Sequence, residues 1–203
     1  MSWNGYLVFV LVLIVFDYAL NTLVDVLNVR RAGPGIPDEF TGWFDADRYA
    51  DSQRYLRETT RFDLFTSSIM VPLTIAFILA GGFRWLDAIA RGTGLDMIPT
   101  GLVFAGLLVL IAQVVNLPFS IYSTFVIEER YGFNRTTVWT FIADLVKSLL
   151  LTAVIGGLLF AAVLWFFSAA GSWVVAWLSA WAFIAAAQFF IIFIAPVVIL
   201  PLF

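Results

Sequence analysis

Asp17, Asp25, Asp144 and Lys147 are ionisable residues set inside long apolar runs, with Asn21, Gln113, Asn116 and Gln188 as neutral polar companions. A carboxylate or ammonium at mid-bilayer costs about 2.5–3.5 kcal/mol even on a lenient insertion scale, so such groups should face protein or water rather than lipid. Two readings remain open: a buried polar cluster that locks helices together, or a layer lining a water-accessible cavity. Asp17, Asn21, Asp25 and Asn28 recur at helical intervals and share one face. Lys147 is the single lysine and needs a carboxylate. Asp144, three residues back, is the nearest on the same face; Asp17 is the alternative on another helix.

Other chemistry is excluded by composition. The chain has no histidine and no cysteine, which removes the commonest general base, the commonest zinc ligands and any disulfide framework. No HExxH, GxSxG, phosphate loop or CxxC occurs. The adjacent Glu128 and Glu129 resemble an acid–base pair only on paper. Consecutive helical residues point about 100° apart, so they suit a structural or interfacial role, pairing with Arg130, Arg135 or the first loop. The chain as given should neither bind catalytic zinc nor cleave peptides. With 11 Lys+Arg against 14 Asp+Glu, and no basic block, no nucleic-acid partner is expected.

The elements that must position these residues are membrane spans. Of 203 residues 62% are hydrophobic and only 12% charged, where a soluble domain carries roughly a quarter charged. The expected fold is an all-α integral membrane protein with five transmembrane helices, a single domain over residues 1–203. The first span covers about residues 3–29. A polar loop follows, and from Asp45, a plausible cap, the pattern turns helical and runs on into the second span at about 63–83. From Asp45 to Gly81 such a helix would be ~55 Å long, so its first half should project into the cytoplasm. Pro72 is expected to kink it. A connector at about 84–99 leads to the third span (100–127). The fourth covers 137–167, and a tight turn at Ser168–Ser172 opens the fifth. Measured along these spans, Asp17, Asn116, Lys147 and Gln188 lie at comparable depths of roughly 15–22 Å from the cytoplasmic ends.

Orientation follows from Lys and Arg. The first loop holds Arg30, Arg31, Arg48, Arg54, Arg57 and Arg61, and the third Arg130 and Arg135; the second holds Arg84 and Arg91. This bias places the N-terminus outside, loops one and three in the cytoplasm, and the C-terminus in the cytoplasm. Trp3, Trp85, Trp165 and Trp173 would then form an outer aromatic belt. Ten arginines to one lysine points to a GC-rich microbial source and a bacterial inner membrane.

Charge concentrates once between apolar runs, in residues 122–137 (YSTFVIEERYGFNRTT). Gly132 can take the left-handed conformation that stops a helix, with Phe133 for the apolar closing contact. Asn134, Thr136 and Thr137 can each cap the next helix. The string is more specific than a turn. Tyr122, Thr124 to Glu129, Tyr131 to Asn134 and Thr137, with Asp144 and Lys147, resemble the N-terminal membrane domain of the CAAX prenyl protease type 1 family. Pro37 to Phe40, Tyr49, Ser52, Gln53 and Tyr55 look like that family's first cytosolic loop, and Pro196, Ile199 and Pro201 to Phe203 like the end of its fifth span.

The resemblance implies an integral-membrane zinc metalloendopeptidase with a large intramembrane chamber, whose HExxH helix and distant glutamate lie beyond Phe203. It carries no catalytic role onto Glu128, Glu129, Arg130, Gly132 or Asn134. Zinc belongs to the intact enzyme. The partners implied are the bilayer, the C-terminal zinc domain and a lipidated peptide substrate. The apolar ending reads as a truncation. The alternative is a stand-alone transport or interaction protein that keeps the fold without hydrolysis.

Overall fold

The computed structural model describes residues 4–33, 35–36, 42–43 and 45–202. Trp3, Pro34, Pro37, Asp38, Glu39, Phe40 and Phe203 lie outside the described residues. Among the described residues seven α-helices follow in order: α1 (Gly5–Arg31), α2 (Ala46–Leu79), α3 (Gly82–Gly92), α4 (Met97–Tyr122), α5 (Val138–Leu151), α6 (Gly157–Ala169) and α7 (Trp173–Ile194). Three π-helical segments extend or join them, at Ser123–Glu128, Thr152–Gly156 and Ala195–Ile199. Five stretches are long and apolar enough to cross a membrane: Gly5–Arg31, Ala46–Leu79, Met97–Glu128, Val138–Ala169 and Trp173–Leu202. The chain is an integral membrane protein.

The helix starts match the capping chemistry. Asp45 caps α2, its carboxylate accepting from the Arg48 N–H at 2.9 Å. Thr137 rather than Asn134 or Thr136 caps α5, accepting from Thr140 N–H at 3.1 Å, and Ser172 caps α7. At 34 residues α2 is ~51 Å long, more than a bilayer core needs. It runs through Pro72 without ending.

Two expectations change. The second span ends at Leu79 rather than 83, because Gly81 takes φ +78 and closes the helix. The expected connector over 84–99 is helical in its first part, as α3. At Gly82 a Cβ would fall 2.3 Å from the Phe77 ring, so a larger residue would have to displace that ring.

The chain forms two compact units, Met1–Trp85 with Val114–Arg135, and Leu86–Gln113 with Thr136–Phe203. In the first, α1 packs on α2, joined by a 2.8 Å hydrogen bond between the Tyr18 and Ser68 hydroxyls. Phe62 stacks on Tyr122 at 4.9 Å, and the Ser123–Glu128 segment packs on α2 with Ile127 fully buried. In the second, α6 packs on α7. Ala176 and Ala180, one turn apart and buried, supply the small side chains that let membrane helices approach closely. Most large apolar side chains on the spans, Phe9, Val114 and Phe193 among them, are exposed. In a bilayer that surface meets lipid as apolar as itself, so packing and hydrogen bonds, rather than burial, must hold the helices together.

Candidate functional site

The charged loop after the third span is built by a complete helix stop. Gly132 has φ +72. The Phe133 N–H donates to the Glu128 carbonyl at 2.9 Å and the Gly132 N–H to the Glu129 carbonyl at 3.1 Å, the paired bonds of a Schellman ending. Side chains on both sides of the stop meet the extension of α2. Arg130 pairs with Glu58, and the Tyr131 hydroxyl donates to the same carboxylate at 2.8 Å. Tyr55, one turn before Glu58, meets Tyr131 edge-on at 5.2 Å and Phe133 at 4.8 Å. Phe133, expected to supply the apolar closing contact, meets Tyr55 of α2. Asn134 donates to Glu129 at 2.9 Å.

The first-loop helix and the third loop are therefore latched together, which puts them on one side of the membrane. Arg130 thus reaches the first-loop helix, while Glu129 accepts from Asn134 within its own loop. The sequence reading missed Glu58. Tyr55 and Glu58 stand i,i+3 on a helix already assigned, but nothing in spacing joins them to Arg130 and Tyr131 across the fold. Burial, and then the Glu58 hydrogen bond and negative charge, push the Tyr131 phenol above its ordinary value.

The membrane-depth polar residues are distributed as follows. On α1, Asn21 folds back to donate to the Asp17 carbonyl at 3.0 Å. Asp17 and Asn21 are exposed and Asp25 half-buried. On α4, Gln113 is half-buried and Asn116 exposed, and on α7 Gln188 is exposed. On α5, Lys147 Nζ donates to Asp144 Oδ1 at 3.1 Å and to the Leu202 carbonyl at 2.7 Å. One ammonium thus ties the fourth span to the last turn of the fifth. Among the described residues no polar or charged side chain is fully buried.

With this architecture in view, comparison decides the family. A family described as CAAX prenyl protease N-terminal, five membrane helices, matches residues 25–203. The chain belongs to that family. It is 28% identical to the CAAX prenyl protease 1 homolog of Oryza sativa subsp. japonica, over 98% of this chain and 48% of the relative. It is 32% identical to the probable CAAX prenyl protease 1 of Schizosaccharomyces pombe, over 66% of this chain and 30% of that one. The crystal structure of S. mikatae Ste24p superposes with a TM-score of 0.84 at 25% identity, covering 100% of this chain and 49% of Ste24p. The chain spans half or less of the length of these relatives and corresponds to the N-terminal membrane part of CAAX prenyl protease-like proteins.

A zinc ion of the kind a metalloprotease uses does not fit the residues present. The sequence has neither histidine nor cysteine, and among the described residues no three Asp or Glu come together. The carboxylates that remain suit harder ions.

Proposed function

We propose that residues 1–203 form the non-catalytic membrane wall of an intramembrane chamber in a zinc metalloendopeptidase that trims prenylated or membrane-associated substrates. The observation that carries this reading is the superposition on Ste24p, which accounts for the whole of this chain and half of that protein. Zinc, its ligands and the general base would then belong to a C-terminal part, and a lipidated peptide would be the substrate. The residues of this chain do positioning work. Lys147 holds the last turn of the fifth span through the Leu202 carbonyl, and Glu58 holds the third loop against α2.

Asp17, Asn21, Asp25, Gln113, Asn116, Asp144, Lys147 and Gln188 supply the polar lining. Exposed carboxylates on membrane-crossing helices are costly against lipid, which supports water on the faces that carry them. The Lys/Arg bias supports an N-terminus outside and a C-terminus in the cytoplasm. A bacterial inner membrane rests on the arginine-rich composition alone; the relatives named above are eukaryotic.

The native chain lacks cysteine, so single cysteines test the lining directly. In the folded chain in membranes, Asn116→Cys and Gln188→Cys should react with a water-soluble thiol reagent, while Val114→Cys and Phe193→Cys should react only with a membrane-permeant one. Protection of Asn116→Cys and Gln188→Cys equal to that of the apolar positions would overturn the wet wall and favour a stand-alone protein with a dry polar lock.

A further inference from the structure

α3 has three faces rather than two. Gly82, Leu86 and Ala90 form a buried stripe. Trp85 and Ile89 form an exposed apolar one. Asp87 and Arg91 form a charged one, with Arg91 Nε donating to Asp87 Oδ2 at 2.8 Å and Oδ1 at 2.9 Å. An apolar exposed face beside a charged face is the pattern of a helix lying in the plane of the membrane interface.

The charged face sits on the rim of a cavity of about 590 Å³ within the second unit. Asp87, Arg91 and Thr100 provide its polar edge; Phe104, Phe160 and Leu164 provide apolar wall. Gly101 lines it too, and a Cβ there would fall 2.5 Å from Leu164 Cδ1, so any other residue at that position would press on Leu164.

We propose that this cavity seats the headgroup end of one zwitterionic phospholipid, its headgroup across the Asp87–Arg91 pair and the first part of its acyl chains against the apolar wall. Charge selects the class. The pair runs through Nε, and the guanidinium has four further N–H donors for a phosphate. The adjacent carboxylate can accept from a headgroup ammonium. An anionic headgroup would gain the arginine but meet the Asp87 charge uncompensated, so a phosphate and an ammonium side by side fit this rim better. This goes beyond the protease reading and stands independently of it.

The test reconstitutes the full chain in bilayers of equal phosphatidylethanolamine and phosphatidylglycerol, extracts it in mild detergent, and weighs it intact. Retained phosphatidylethanolamine should exceed phosphatidylglycerol by about fivefold, the ratio expected of one partly exposed charge contact. Asp87→Asn should shift the ratio toward phosphatidylglycerol by a similar factor, and Arg91→Gln should lower retention of both. Asp51→Asn, which opens an exposed ion pair with Arg54 elsewhere, should change nothing. Soluble glycerophosphoethanolamine should not displace the lipid, because it lacks the chains that fill the wall. Equal retention of the two lipids by the unaltered chain overturns the proposal, and so does an equal shift with Asp51→Asn. Displacement by the soluble headgroup overturns it as well. Should Asp87→Asn not fold, the ratio in the unaltered chain decides alone.

Discussion

Lys147 shows how far local spacing reaches. The sequence names Asp144 as its nearest partner, three residues back, and the structure makes that contact at 3.1 Å. The second bond, to the carbonyl of Leu202 fifty-five residues away, follows from tertiary placement and leaves no mark in spacing. Removing one charge of the pair leaves the other poorly solvated, which is worse than removing both. Lys147→Met and Asp144→Leu should each lower stability in detergent by about 1–3 kcal/mol, with the double variant well short of their sum. Thermal unfolding of the three variants measures this, and simple additivity would contradict the pairing.

At the scale of elements, the stops and starts were legible and the docking was not. Gly132 could be read as a left-handed helix stop because few other residues tolerate φ +72. Asp45 could be read as a cap because a short side-chain oxygen before a helical pattern satisfies an orphan N–H. α3 was missed because Gly81, Gly92 and Gly94 look like loop punctuation, while its amphipathic stripe is only 11 residues long. The π-helical segments leave no comparable signature. Glu58 was missed because its partners lie across the fold, on another element.

The latch it forms has a pH consequence. Folding raises the Tyr131 pKa above the ordinary phenol value, so the folded state binds that proton more tightly than the unfolded one. The associated stability is present below about pH 10 and is lost as pH rises through the folded value. Spectrophotometric titration should find a tyrosine that ionises late, absent in Tyr131→Phe and shifted to lower pH in Glu58→Gln. A titration in which neither substitution alters the alkaline end would contradict the latch.

For the whole molecule, composition settled the class, and five apolar runs settled the number of spans. Both were readable because lipid demands about twenty apolar residues per crossing. Sidedness rests on the arginines. A cysteine at Ser52, on the exposed extension of α2, should be shielded from impermeant thiol reagents in intact cells. One at Thr93, between α3 and α4, should react. The reverse pattern would invert the topology.

If this chain walls a chamber, as proposed, the zinc and the peptide-cutting groups belong to another part of the protein. The direct measurement is cleavage of a prenylated CAAX peptide by residues 1–203 alone and by the product of the reading frame continued past Phe203. The first should show no cleavage and no stoichiometric zinc after chelator washing, and the second chelator-sensitive cleavage. Zinc-dependent cleavage by residues 1–203 alone, or a continued frame that encodes no zinc-binding helix and cleaves nothing, would contradict it.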